Sequence, residues 1–301
     1  MAQRAFPSPS IDFRSRLLID RHSSVLSRLS LRRQASLANQ ACADATIWNI
    51  FRTLAQMDPV QWVPELMGLG KLRSIPSQRD LMGGVAVTLW KRVKPPVERL
   101  IWLQRQVLRG TVRPPVGRKR RGRVVPLSNL RAELKERAKS RLPLEEPVEV
   151  DVIVKCPLSV LFLVIPSPGD SPEKPAESDA SRTHLLRLVD AGLSYAENRS
   201  RARSNSVSFS LLILARSSGT EKAWGDAMRA LTRSGTRLRN SLPHRQGFDF
   251  SVLTGNLGVA PWAALEAMLE GLRRHTTDEL ESSLLSRLLR PENFPAPPAA
   301  R

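Results

Sequence analysis

Apolar and polar positions alternate with a period of two over residues 148–154, where four valines flank Glu149 and Asp151. This period is typical of a strand with one buried face, so both acids are predicted to share the other face. The turn 155–159 and the continuous apolar run 160–165 follow directly. Together they predict a hairpin whose second strand is a buried central strand.

Other segments repeat with the period of a helix. Ile47, Ile50, Phe51 and Leu54 recur at i, i+3, i+4 and i+7, which predicts an amphipathic helix over 41–56, with Ala43 near the same face. Further helices are predicted over 85–108 (interrupted at Pro95 and Pro96), 127–140, 182–199, 221–240 and 261–274, and further strands over 207–214 and 248–253. A helix, then paired strands, then alternating helices and strands predicts an α/β fold with a mixed sheet.

Composition limits the class of protein. The chain has 301 residues, of which 41% are apolar, enough for a sizeable core, and it has no run of the ~18 apolar residues needed to cross a bilayer. Cys42 and Cys156 are too few for a disulfide framework or a four-cysteine zinc site, and the four histidines are scattered without metal-ligand spacing. We therefore expect a soluble cytoplasmic protein without zinc and without a membrane partner.

The positive charge is concentrated in one part of the chain. The formal net charge is +19, and residues 91–141 contribute +14 of it, whereas residues 142–301 are balanced. The densest run contains no acid and comprises Arg113, Arg118, Lys119, Arg120, Arg121 and Arg123. Prolines and glycines within it predict an exposed loop, and such a loop attracts polyanions by releasing their counterions. A solvated basic loop with no dedicated partner is the alternative.

Motifs of several enzyme classes are missing. The chain has no Gly-x-x-x-x-Gly-Lys-Ser/Thr phosphate loop, no dinucleotide-binding fingerprint after a strand and no Gly-x-Ser-x-Gly elbow. Kinase-like and hydrolase-like functions are therefore not expected.

Two segments carry a resemblance to a known family. Asp44-Ala-Thr-Ile-Trp-Asn-Ile-Phe-Arg-Thr-Leu54 is similar to a helix motif, roughly Ser-Glu-Asp followed by Thr-Trp-Asn-x-Phe-Arg. Glu149-Val-Asp-Val-Ile-Val154, a turn and Leu161-Phe-Leu-Val-Ile-Pro-Ser167 are similar to an Asp-bearing strand followed by a strand ending in Glu-x-Lys. In this order the segments resemble one branch of the PD-(D/E)xK nuclease superfamily, as do residues 184–192 and 262–265 downstream. The resemblance spans about 37–272, with 60–145 poorly matched.

The resemblance implies a restriction-endonuclease-like core, that is, a mixed central sheet flanked by helices, with an N-terminal helical, basic region. The domain organisation expected from it is an N-terminal basic segment at 1–36 and a nuclease-like domain at 37–275. That domain would contain a basic insertion around 91–141. A C-terminal helix and tail would occupy 276–301.

The resemblance also assigns site positions. In this family, carboxylates hold one or two Mg²⁺ ions that activate water, and a lysine stabilises the developing charge. The family's strand aspartate matches Asp151, but its Glu-x-Lys pair falls on Ile165 and Ser167, and its helix glutamate falls on Ala43. Three of the four functional positions have lost their charge. We therefore expect a vestigial catalytic site with Asp151 and Glu149 as its acids and Asp151 as its one retained metal ligand.

Three functions follow as hypotheses. The first is a catalytically degenerate nuclease-like protein, a pseudoenzyme that binds DNA or RNA through residues 113–123 and needs no cofactor. The second is an active Mg²⁺-dependent nuclease with relocated ligands, drawn from Glu149, Asp151 and either Asp44 or Asp170. The third is a protein-interaction scaffold without enzymatic activity.

Overall fold

The protein is described as a computed structural model. It covers residues 13–39, 42–111, 119–120, 123–124, 127–140, 144–167, 169–176, 179, 181–233, 235–291 and 293. In this part of the chain, no helix is both long enough and apolar enough to span a bilayer.

A mixed five-stranded sheet forms the centre of the described structure. The strands are β1 (Ala86–Val93), β4 (Val148–Lys155), β5 (Ser159–Val164), β6 (Ser208–Ala215) and β7 (Leu257–Pro261), in the spatial order β1-β4-β5-β6-β7. The pairs β1–β4 and β4–β5 are antiparallel, and the pairs β5–β6 and β6–β7 are parallel. The predicted α/β class with a mixed sheet is confirmed.

Helices cover both faces of this sheet. They are α1 (Ser24–Ser27), α2 (Leu31–Ala38), α3 (Asp44–Leu54), α4 (Pro59–Leu69), α5 (Gln78–Met82), α6 (Val97–Arg109), α7 (Leu127–Lys139), α8 (His184–Arg203), α9 (Ser218–Thr232), α10 (Gly235–Ser241), α11 (Trp262–His275) and α12 (Glu279–Leu288). Two 3-10 turns (Phe13–Arg16 and Phe250–Leu253) and a short ladder of β2 (Lys119–Arg120) with β3 (Arg123–Val124) complete the described elements.

The two faces of β5 pack against different helices. Leu161 and Leu163 belong to a core shared with α3, α4, α11 and α12, while Val160 and Phe162 belong to a core shared with α8 and α9. All six residues of β5 are buried, because side chains alternate between the faces and each face is covered. The prediction of a buried central strand is confirmed.

Two predicted elements are wrong. Residues 86–93 were expected to be helical but form strand β1, which pairs with β4; only 97–109 of that region is helical, as α6. Residues 248–253 were expected to be a strand, but Phe250–Leu253 is a 3-10 turn. Residues 86–93 form a strand because pairing with the distant β4 overrides their local pattern. Residues 250–253 form a turn because the Asp249 carboxylate accepts the Ser251 N–H.

The segments at the two ends and in the middle attach to the sheet separately. Leu17, Leu26 and Leu37 pack with Trp48 of α3 and Trp90 of β1. Between β1 and β4, α6 and α7 form a hairpin of helices with an apolar cluster of their own. The helix α12 adds two buried leucines to the core under α3 and α11.

Candidate functional site

A cleft of about 650 Å³ opens where β4 and β5 approach the start of α3. Its lining includes all four positions that the sequence assigned by resemblance, namely Ala43, Asp151, Ile165 and Ser167. Ala43 immediately precedes α3, Asp151 lies in β4, and the other two follow β5 directly. Residues separated by up to 124 positions in the chain therefore meet at one site.

The β4–β5 hairpin places Asp151 beside the end of β5. Its register pairs Val152 with Leu163, so the chain leaving β5 passes the Asp151 side chain. The backbone N–H of Ile165 donates to Asp151 Oδ2 at 2.8 Å. The position of the expected glutamate thus supplies only a backbone donor, because the Ile165 side chain has no oxygen.

Asp151 has an unusual protonation equilibrium. Its pKa is raised to about 7: burial is the largest cause and the Asp44 and Glu149 charges add to it, while the Ile165 N–H and the Arg33 charge act in the lowering direction. The carboxyl group is therefore about half protonated near neutral pH. Protonation weakens it as a ligand for a divalent cation.

Arg33 of α2 holds two of the acids of the cleft. Its Nη1 donates to Asp44 Oδ2 at 2.6 Å, and its Nη2 donates to Glu149 Oε1. Its guanidinium also lies over the Trp90 ring, 5.0 Å from the centroid. One arginine therefore pairs with both of these carboxylates, and its single positive charge offsets one of their two negative charges.

The Trp90 backbone is strained at this place. Trp90 has a φ of +50°, in the left-handed region that bulky residues rarely adopt, and its ring stacks on Trp48 with centroids 5.9 Å apart. The guanidinium of Arg33 therefore lies over a ring that is itself stacked on Trp48. The sequence analysis missed the role of Arg33, because it is 116 positions away from Glu149 in the chain and no local pattern connects the two residues.

Asp170 makes its contacts in the loop after β5. It accepts the Ser167 N–H at 3.0 Å and lies 3.9 Å from Lys174 Nζ. Among the described residues, no three His, Cys, Asp or Glu side chains converge as metal ligands do. The four candidate ligands of the sequence do not fit Mg²⁺, which requires near-octahedral oxygen ligands, because a guanidinium engages Asp44 and Glu149 and backbone N–H groups engage Asp151 and Asp170. This arrangement does not favour the hypothesis of relocated ligands.

Besides Arg33, the lining of the cleft includes four basic residues. They are Arg32, Lys174, Arg187 and Arg216, of which Lys174 lies near Asp170 and Arg187 near Glu145. His184, the first residue of α8, also lines the cleft, and burial together with the Arg187 charge lowers its pKa to about 4. It is therefore neutral at physiological pH. Sequence reasoning missed these cations because they come from separate elements.

A second group of cations lies at the far end of β4. Arg199 donates to the Cys156 carbonyl at 2.8 Å, and Arg203 donates to the Pro157 carbonyl at 3.0 Å. Burial and the charges of Arg199 and Lys91 lower the pKa of Lys155. Several positively charged side chains therefore lie close together at this end of β4.

The predicted basic loop is described only in part. Arg113, Arg118 and Arg121 lie outside the described residues. Lys119, Arg120 and Arg123 belong to the β2–β3 ladder, so this part of the run is extended rather than helical. Its proposed contact with nucleic acid stays a prediction.

Comparison with protein-family models, with curated proteins and with solved structures found no match for this chain.

Proposed function

We propose that the chain is a catalytically inactive nuclease-like protein that binds nucleic acid without cleaving it. The observation that carries the proposal is the convergence of Ala43, Asp151, Ile165 and Ser167 on one cleft. Only one of the four retains the charge that phosphodiester hydrolysis by this family needs.

The arrangement of elements supports this relationship. A helix precedes an acid-bearing strand, the next strand ends beside that acid, and the central sheet is mixed and flanked by helices. This is the arrangement that the resemblance to the PD-(D/E)xK superfamily implies.

The chemistry of the cleft favours binding over cleavage. Arg33 engages Asp44 and Glu149, the pKa of Asp151 is raised to about 7, and Ser167 provides no ammonium group. The cleft therefore lacks both the ligands for a water-activating metal and the fixed cation of the family site. For a phosphate backbone the cleft offers Arg32 and Arg216, which form no ion pair with a described acid, whereas Lys174 and Arg187 already lie near Asp170 and Glu145.

The proposal is tested by two assays, one for cleavage of nucleic acid and one for binding. Single- and double-stranded DNA and RNA are incubated with the full chain in Mg²⁺, in Mn²⁺ and in chelator, and binding is titrated with salt. We expect binding that chelator does not change, with log affinity falling linearly with log salt, and no cleavage.

Two outcomes would overturn the proposal. Cleavage that disappears in Asp151→Ala would reveal a working metal site. Binding that is undetectable even at low salt would remove nucleic acid as the partner and favour a protein-interaction scaffold.

A further inference from the structure

Two buried N–H donors in the cleft have no acceptor. Arg216 Nε and Trp224 Nε1 are inaccessible to solvent and make no hydrogen bond within the described structure, and both residues line the cleft. An unsatisfied buried donor costs about 1–3 kcal/mol, and at these two positions, unlike at Trp62 in the core, the donor belongs to a residue that lines a cleft from which an acceptor can come.

Both donors lie where β6 passes into α9. Arg216 directly follows β6, and Trp224 lies within α9 and is fully buried. The Trp224 ring meets the His184 ring edge to face, with centroids 5.6 Å apart, so the start of α8 borders the same place. Both side chains line the same cleft, Arg216 beside Trp262 of the core under α11 and Trp224 in the core under α8 and α9, so the two donors reach the cleft from different faces of the sheet.

Arg216 is also uncompensated in charge. It forms no ion pair with any acid that the structure describes, and its nearest aromatic partner is the Trp262 ring, 6.0 Å from Cζ. Four acids of the cleft have other partners: Arg33 binds Asp44 and Glu149, the Ile165 N–H binds Asp151, and the Ser167 N–H binds Asp170. An external anion would supply the counter-charge that Arg216 lacks within the described structure.

A ligand that satisfies both donors and the charge of Arg216 is an anion with several acceptor oxygens. Guanidinium groups match the oxygens of phosphate better than ammonium groups do, because they present planar N–H donors. We propose that Arg216 and Trp224 form a subsite for a phosphate group. This inference rests on the proposed function and names the group of the nucleic acid that the cleft holds, either an internal phosphodiester or the phosphate at the end of a strand.

The first test uses the unaltered protein. The indole N–H resonance of Trp224 is assigned with Trp224→Phe, and inorganic phosphate is titrated while ¹H–¹⁵N spectra are recorded. Trp62 is a matched control, since its Nε1 is likewise buried without a partner but the side chain lies in the core on the other face. We expect a saturable shift of the Trp224 resonance and none for Trp62; an unmoved Trp224 resonance overturns the subsite.

The second test separates the two sources of phosphate. Arg216→Gln and the exposed-arginine control Arg79→Gln are compared for binding to one oligonucleotide carrying either a 5′-phosphate or a 5′-hydroxyl. We expect Arg216→Gln to lose about tenfold or more in affinity. A loss confined to the phosphorylated strand identifies the terminal phosphate, and an equal loss for both strands identifies an internal phosphodiester.

The tests also distinguish the subsite from the proposed function. If Arg216→Gln binds both strands as the unaltered chain does, the subsite is wrong while nucleic-acid binding stands. If the unaltered chain binds neither strand but its Trp224 resonance shifts with inorganic phosphate, the subsite stands and the proposed function fails. Should Arg216→Gln not fold, the titration of the unaltered protein decides.

Discussion

Single residues decide the chemistry of the cleft, and Arg33 has the largest effect among them. It lies between Asp44 and Glu149 and above the Trp90 ring, so it joins α2 to α3 and β4. Asp44 is buried, and a buried carboxylate needs a counter-charge or hydrogen-bond donors. The guanidinium supplies both.

Arg33→Met is expected to destabilise the fold by about 1–3 kcal/mol, because it leaves the Asp44 carboxylate buried without its donor. It should also raise the pKa of Asp151 above about 7, since the Arg33 charge lowers that pKa. Denaturant unfolding measures the first effect and NMR titration of the carboxyl carbon the second. Arg32→Met, on the same helix but exposed, should change neither by a comparable amount; equal effects of the two substitutions would contradict the assignment.

The stability of Asp151→Asn, relative to that of the unaltered protein, is expected to increase as pH rises. The folded pKa of Asp151 is about 7 and the ordinary value is 3.8, so the folded state binds the proton more tightly. Its contribution to stability is complete below pH 3.8 and is lost as pH rises through 7. Asparagine mimics the protonated form and does not titrate.

Between pH 5 and pH 8 the unfolding free energy of Asp151→Asn, relative to the unaltered protein, should therefore rise by about 2–3 kcal/mol. Taking the difference between the two proteins cancels other titrating groups, such as His184. A difference that stays constant with pH would show that the Asp151 carboxyl is not perturbed.

At the scale of elements, close contacts rather than propensities set the packing. Helix α8 crosses the sheet at Gly192, where an added Cβ would lie 2.1 Å from ring carbons of Phe209 in β6. Phe209 is itself held edge to face against Phe162 of β5, with centroids 5.3 Å apart. The glycine therefore allows the helix to approach the sheet closely.

Gly192→Ala should destabilise the protein by about 1–3 kcal/mol, because the buried Phe209 ring must move to admit the methyl group. Gly271→Ala is the matched control: it lies inside α11 with no atom within 4 Å of the added Cβ, and it should be neutral or stabilising by up to about 1 kcal/mol. Thermal unfolding of both variants checks the pair. Similar effects would mean that α8 does not pack against Phe209 at this distance.

Helix α12 belongs to the central core by its contacts. Leu285 is fully buried in the core beneath α3 and α11, whereas Leu280 in the same helix is 70% exposed. Leu285→Ala should cost about 2–5 kcal/mol of unfolding free energy, and Leu280→Ala less than about 0.5 kcal/mol. Equal, small losses in urea unfolding would indicate that α12 is detached from the core.

At the scale of the whole molecule, a buried network of charges joins parts that are distant in sequence. Arg99 of α6 binds Glu145 and Asp179, and Arg182 binds Glu145 and Asp190. Through these contacts the inserted helices, the loop after β5 and α8 are held together. Opposite charges compensate one another here, as buried ions require.

Asp190→Asn is expected to destabilise the protein by about 3–5 kcal/mol, because Arg182 and Arg245 would remain buried with less counter-charge. Burial opposes ionisation of Asp190, but the His244 hydrogen bond and the two arginines outweigh it, so its pKa lies below the usual range. Its contribution is therefore present above pH 3.8 and lost as pH falls through the lowered pKa.

Asp226→Asn removes an exposed partner of Arg229 and serves as the control, with an expected loss of at most about 1 kcal/mol. Chemical denaturation at pH 7 compares the two variants. If Asp190→Asn unfolds at the same denaturant concentration as Asp226→Asn, the network does not stabilise the fold.

The amino-acid sequence by itself determined the elements whose burial is periodic and local. The alternation in β4, the apolar run of β5 and the stripe of α3 were predictable, because a residue's burial in a regular element follows from its spacing. Placement of Asp151 near the end of β5 followed from the hairpin, which joins neighbours in the chain. By contrast, the sequence pattern of β1 predicted a helix, and only its hydrogen-bonded pairing with β4 in the folded protein makes it a strand.

Only the tertiary structure decided which charges meet. Arg33 reaches Glu149 across 116 positions, and Arg216 shares a cleft with Ala43 although the two residues are far apart in the chain. Such pairings depend on how separate elements pack, and neither composition nor periodicity encodes distances between them. Asp151 could thus be named as a candidate from the sequence, whereas the cations around it became visible only in the folded protein.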